Sequence, residues 1–307
     1  MWFKQVQLFK IDAKIKYEEL LEGLRKLAFR PCLASHFSSK GWVSPIEVDA
    51  SIEDPELARR IDNFIMLCLQ IEEKILPATV VRQELANKVR EIEQREDRKV
   101  RAKEKLTLKD EVTFSLLPRA FSKFSKVYAY IDTRNGQLVM GTTSDKKTAD
   151  FLSTLTKSLG EEIYALEPEK ISPITTQWIS QHSQPSGFVV EKSAVLQDPQ
   201  HQNRVIRAQN QDLFAASIQA LITDGCEVKQ LAVSWREQIQ FTLSEGLLLQ
   251  RIKFHDDVVL QSKDLGLESR DQQFDASFMI MAKTFANLFP ELLRLFVAST
   301  KPVLEPA

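Results

Sequence analysis

The chain has 307 residues, 43% of them hydrophobic and 27% charged, with a formal net charge of −1. This length supports a real core and more than one compact unit, and the composition is that of an ordinary globular protein. No apolar run approaches the roughly 18 residues that span a bilayer, and the opening MWFKQVQLFKID alternates instead of forming a signal-peptide core, so a cytoplasmic protein is expected.

WFKQVQLFKI (2–11) reads as a strand by alternation, and YEELLEGLRKLAF (17–29) as an amphipathic helix. NFIMLCLQI (63–71) is apolar enough for a buried strand, which EEKILP stops at Pro77. Cys32, Cys68 and Cys226 are odd in number and far apart, so no disulfide framework is expected. Cys32 and His36 are four apart, but no second ligand pair accompanies them; no metal or cofactor is expected.

Residues 78–105 are helical in composition, with Val81, Leu85, Val89 and Ile92 as an apolar stripe. The stripe fades into REDRKVRAKEK, as a helix does when it projects from its core. A second helix is predicted from Thr107, where Thr107 and Asp110 have capping-box spacing, with Leu108, Val112 and Leu116 on one side. Leu117, preceding Pro118, is expected to leave the helical region. Together these predict a protruding helical hairpin.

LLPRAFSKFSK (116–126) forms the root of that hairpin. Read as a helix starting at Pro118, it places Arg119, Lys123 and Lys126 on one face and Phe121 and Phe124 on the other. Two readings stay open: a connector with a solvated basic face, or a contact that is apolar toward protein and basic toward phosphate.

VYAYIDTRNGQLVMGTT (127–143) predicts a β-hairpin around Asn135-Gly136. Residues 145–159 predict a helix ended by Gly160. A short helix is expected near Trp178 and another over 213–222. Residues 227–254 read as a meander, with Glu245-Gly246 at a turn and Arg251 and Lys253 on the face opposite Ile252 and Phe254. A final helix covers 274–297, interrupted or kinked at Pro290. The sum is an α+β fold with antiparallel sheets, segregated helices and a helical hairpin.

Chemistry is sparse. There is no GxGxxG, Walker loop or GxSxG, and the adjacent acids Glu72-Glu73 and Asp256-Asp257 read as solvated surface, like His255. Nothing demands an enzyme. Charge distribution says more: residues 82–126 hold 13 Lys and Arg against 8 Asp and Glu, leaving 28 basic and 34 acidic residues elsewhere. Phosphate binding needs only cations gathered on one surface. This distribution fits a binder of nucleic acid or of an acidic partner.

EEKILP (72–77), LKDEV (108–112), LLPRAFSKFS (116–125), IDTRNG (131–136), KSLG (157–160), VIRAQNQDL (205–213), IQF (239–241) and FDASF (274–278) resemble the RdgC family of bacterial recombination-associated DNA-binding proteins. The resemblance runs from near the N-terminus to about residue 297. It implies a head-to-head homodimer closed into a ring, with a basic hole that takes double-stranded DNA without sequence preference. It also implies nucleoid association, restraint of a RecA-type recombinase by competition for DNA, no enzyme activity and no cofactor. The expected organisation is a central α+β unit from 1–76 and 126–170, a helical tip at 77–125 and a base at 171–303.

In that picture Phe121 and Arg98 match family residues at the dimer contact, and Gln211 matches a DNA-contacting position. The helix geometry lets Arg119, Lys123 and Lys126 face the hole. Gln209 and Asn210 stand where the family commonly has lysines, so the inner surface is expected either to bind DNA more weakly or to lean on Arg204, Arg207, Arg251 and Lys253. The competing reading is an inhibitor that binds the recombinase directly, with DNA incidental. An unrecognised nuclease is a third, without a metal-ligand cluster in the sequence.

Overall fold

A computed structural model describes residues 2–11, 14–47, 54–160, 163–166, 170–201, 203–263 and 269–297. In chain order the elements are β1 (Gln7–Lys10), α1 (Tyr17–Lys26), β2 (Ser38–Val43), β3 (Ala58–Ile61), β4 (Phe64–Ile75), α2 (Ala78–Glu96) and α3 (Ala102–Leu116). They continue as β5 (Phe121–Asp132), β6 (Gln137–Met140), α4 (Asp145–Leu159), β7 (Tyr164–Ala165), α5 (Ile171–Gln181), β8 (Phe188–Gln197), β9 (Val205–Gln209) and α6 (Ala216–Thr223). The last are β10 (Glu227–Trp235), β11 (Ile239–Ser244), β12 (Leu248–Phe254), α7 (Asp256–Lys263) and α8 (Arg270–Phe296). The fold is α+β with antiparallel sheets, as the sequence predicts.

The first sheet runs β2-β4-β5-β6-β1-β7, with β3 beside β2 along the same edge of β4. Its centre is the β4–β5 ribbon, paired without a register break from Phe64–Asp132 to Ile75–Phe121. The apolar run of β4 is continuous because both faces are covered. Ile65, Leu67 and Leu69 pack with Leu20 and Leu24 of α1 and Phe151 and Leu155 of α4. Phe64 and Met66 join the opposite core, which contains α8.

The second sheet runs β12-β11-β10-β8-β9. Its strands alternate as half-buried strands should: Leu231, Val233, Trp235, Phe241 and Leu243 point inward. Helix α8 fills the space between the sheets. Its Phe278 meets Tyr130 of the first sheet with ring centroids 5.6 Å apart, and its Phe285 meets Phe254 of the second at 5.5 Å. The start of the chain closes the join, since Val6 and Leu249 exchange backbone hydrogen bonds of 2.8 and 3.1 Å.

Several expectations need correction. LLPRAFSKFSK is not a helix: residues 117–119 make one 3-10 turn and β5 starts at Phe121. Leu117 keeps helical angles (φ −51°, ψ −44°) despite the following proline. Strand β4 extends beyond the apolar run to Ile75, just short of the expected stop at Pro77. Helix α3 starts at Ala102, and Thr107 lies inside it, donating to the Lys103 carbonyl at 3.5 Å. Helix α6 begins at Ala216, not Leu213, and the unforeseen α7 starts at Asp256. Helix α8 runs unbroken through Pro290 from a capping box at Ser269 and Gln272. Residues 298–303 of the expected base, and parts of 161–169, lie outside the described residues.

Candidate nucleic-acid interface

The inner face of the second sheet takes most of the apolar residues of each strand, and the outer face is mainly polar, with Val189 and Val205 exposed on it. Near its middle a cleft is lined by Ser193, Arg207, Gln209, Gln230, Thr242 and Arg251, contributed by all five strands. Among the described residues, no carboxylate lines it. Among the described residues, no carboxylate lies within ion-pair distance of Arg207 or Arg251.

A bulge sets the position of Arg251. Gln240 pairs with Lys253 and Thr242 with Gln250, so Phe241 faces both Arg251 and Ile252. Arg251 takes a left-handed φ of +53°, an uncommon conformation outside glycine that strand bulges accommodate. Ile252 stays buried while Arg251 and Lys253 are exposed, as expected. The two cations nevertheless line different clefts. Lys253 shares its cleft with Glu191, Glu237 and Asp256, a mixed-charge environment.

Arg204 and Gln211 are placed at the two ends of β9. The Arg204 guanidinium lies 3.5 Å from Asp198, which also accepts from the Gln200 N–H at 2.9 Å and contacts His201 Nδ1 at 3.1 Å. The Gln200 hydrogen bond, then the His201 contact, hold the Asp198 carboxyl below its usual range. Gln211 donates its backbone N–H to the Lys192 carbonyl at 3.2 Å, and its amide reaches Ser217 Oγ at 3.4 Å. Nothing in the sequence singles out Lys192; only the pairing of β8 with β9 brings it beside Gln211.

A line of polar contacts runs from this face toward the hairpin. Gln250 donates to Thr143 Oγ at 3.4 Å, and Thr143 donates to Gln5 at 2.9 Å. These residues adjoin the first turn of α4, where Lys146 pairs with Glu73 of β4. Glu73 is the register partner of Lys123. Contacts thus link β12 through Thr143 to the start of α4, and Lys146 there meets the Glu73 carboxylate beside Lys123.

The strand divides the basic cluster that a helix would have united. In β5 the odd positions share the face of Val127 and Ala129, toward α4; the even positions share the face of Tyr130. Phe121 and Lys123 lie on the α4 side. Phe124 and Lys126 lie on the reverse, and Arg119 sits in the preceding 3-10 turn. Phe121, opposite Ile75 at the ribbon end, is 83% exposed; Phe124 is 58% exposed.

The acid at the ribbon's root is not solvated surface, contrary to the expectation for Glu72-Glu73. Glu72 is 4% exposed and accepts from the Cys32 N–H at 2.7 Å and the Ser122 hydroxyl at 2.6 Å. Those hydrogen bonds, Ser122's first, hold its carboxyl below the usual range. The Cys32 thiol meets the carbonyl of His36, not its ring. Among the described residues, no group of three His, Cys, Asp or Glu side chains could hold a metal ion.

The turn between α2 and α3 carries Arg98. Glu104 accepts from both its terminal nitrogens, at 2.7 and 2.8 Å, and Glu96 accepts from Nε at 2.8 Å. Val100 is buried beneath, its N–H donating to Glu93 at 3.0 Å. Of the predicted stripe, Val81 is buried and Leu85, Val89 and Ile92 are half-buried against α3.

Residues 1–299 match a family model described as "Putative exonuclease, RdgC". Proteins called recombination-associated protein RdgC from Yersinia enterocolitica and Yersinia pestis are each 35% identical over 297 residues, covering 95% of this chain and 97% of theirs. A relative of the same name from Yersinia pseudotuberculosis has the same identity and coverage. With a match this long on both sides, the chain belongs to the RdgC family.

Proposed function

We propose that this chain is a non-enzymatic protein that binds double-stranded DNA without sequence preference, as a ring-shaped homodimer closed around the duplex. In this reading it is nucleoid-associated and restrains a RecA-type recombinase by occupying the DNA. The hairpin at 77–125 is the tip where the ring closes, and 171–303 is the base. The relatives' name supports a place in recombination.

The observation that carries the reading is the cleft holding Arg207 and Arg251 with Ser193, Gln209, Gln230 and Thr242, and with no carboxylate among its described lining residues. Two cations facing one cleft repel each other unless an anion lies between them. Hydroxyl and amide groups complete the hydrogen bonding of phosphate oxygens but distinguish no base by themselves. Lys123 adds positive charge near the tip, beside the Lys146–Glu73 pair, and the exposed Phe121 offers an apolar contact for closure.

Two unrelated labelled duplexes of equal length, titrated by anisotropy across a salt series, test the reading. Equal affinities that fall steeply with salt support it. Absence of binding at low salt overturns it. Incubation of the same duplexes with magnesium or manganese addresses the non-enzymatic part: full-length strands are expected, and progressive shortening from the ends would refute it.

A further inference from the structure

Between β4, the start of α2 and the end of α3 lies a groove with an apolar floor of Phe37, Leu76, Val81 and Leu85. Its rim is cationic, formed by Lys74, Arg82 and Lys109, and among the described residues no carboxylate lines it. Among the described residues, none of those three cations is within ion-pair distance of a carboxylate; the nearby Glu111 is taken by Lys88 at 2.8 Å. The floor continues outward through Phe114, whose ring meets that of Phe37 edge-on at 6.1 Å. Phe37 is 51% exposed and Phe114 55%. Exposed aromatic surface ringed by unpaired charge of one sign is a recognition surface by its chemistry.

We propose that this groove docks an acidic peptide segment of a partner protein, one that inserts an aromatic or large aliphatic side chain and pairs its carboxylates with Lys74, Arg82 and Lys109. The apolar floor takes the anchor, and the rim supplies charge complementarity and register. Nucleic acid fits less well, because phosphates would satisfy the rim and leave the floor wet. A second copy's Phe121 also fits less well. It lies between Arg119 and Lys123, which repel the rim, and it points to the α4 side of the β4–β5 ribbon, whereas Lys74 points to the reverse. The proposal does not depend on the DNA reading.

A labelled peptide with a run of aspartates and a terminal phenylalanine, titrated by anisotropy into the full chain, is the test. Saturable binding is expected. It should weaken by about tenfold or more on joint Arg82→Glu and Lys109→Glu substitution, and equally when the terminal phenylalanine is replaced by serine. Both substituted side chains are exposed, so the fold is retained, and circular dichroism checks that. Arg207→Glu, far from the groove, should leave peptide affinity unchanged. No binding at low salt, or binding indifferent to the two substitutions or to loss of the phenylalanine, would overturn the proposal. So would displacement by single-stranded oligonucleotide in preference to peptide, or competition between the peptide and self-association, which would assign the groove to a second copy.

Discussion

Arg59 of β3 and Asp275 of α8, 216 positions apart, form a two-point ion pair: Nε donates to Oδ1 at 3.0 Å and Nη2 to Oδ2 at 2.6 Å. The pair fixes α8 against the edge of the first sheet, and α8 is also the floor of the second sheet. The position of the Arg207–Arg251 cleft relative to the ribbon therefore depends on it. Hydrogen bonds donated to Asp275, then the charge of that carboxylate, hold the Arg59 guanidinium more firmly protonated than usual.

Asp275→Asn keeps the shape but removes the charge. The expected loss is about 1–2 kcal/mol of unfolding free energy, since charge-assisted hydrogen bonds are worth more than neutral ones. Glu56, 3.6 Å from Arg59, retains part of the attraction. A urea melt should show a lower midpoint with an unchanged slope. An unchanged midpoint would mean that the pair is solvent-exchanged and holds nothing.

Legibility from sequence followed the range of the interactions that decide each element. Gly160 ends α4 at φ +71°, and Asn135-Gly136 sits in the turn joining β5 to β6, because both are local signals. FSKFSK failed because so short a segment fits either period, and what decides is the unbroken pairing with β4, about 50 positions upstream. The same pairing splits Lys123 from Lys126, and it buries Glu72 under Ser122. Arg207 and Arg251 were legible as basic residues on strands. That they share a cleft was not, because the order β12-β11-β10-β8-β9 and the bulge at Arg251 exist only once the sheet has formed. Lys146 and Lys192 escaped for the same reason.

Phe121→Ala separates fold from assembly. At 83% exposure the ring contributes little to the isolated chain, so unfolding free energy should move by no more than about 0.5 kcal/mol. If Phe121 closes a ring, self-association should weaken by about 2 kcal/mol or more, the scale of an aromatic hot spot. Sedimentation at low micromolar concentration and retention on closed circular DNA read this out. An unchanged dimer with unchanged retention would remove Phe121 from the closing contact.

Arg207→Glu and Arg251→Glu should each lower duplex affinity for unrelated sequences alike and reduce the salt slope by about 1 for each phosphate left without its cation. Neither side chain is buried, so thermal stability should hold. Lys253→Glu, placed among acids, should do less. If Lys253→Glu instead has the largest effect, the duplex tracks β12 and not the Arg207–Arg251 cleft.

Glu72 joins the Cys32 segment to the ribbon that carries Phe121 and Phe124, and its charge matters in acid. Donation from Ser122 and from the Cys32 N–H lowers its folded pKa below the unfolded value of about 4.3. The unfolded chain then binds the proton first. The stabilisation is fully present above the unfolded pKa, and it is lost as pH falls through the folded one. Glu72→Gln keeps an acceptor but removes the titration. Wild type should be more stable than Glu72→Gln at neutral pH, and the gap should narrow as pH falls below the unfolded value of about 4.3. Amide exchange at Cys32 should quicken over the same window in wild type only. A gap that stays constant below the unfolded value would show that the carboxylate charge contributes nothing and that Glu72 acts by shape and hydrogen-bond count alone.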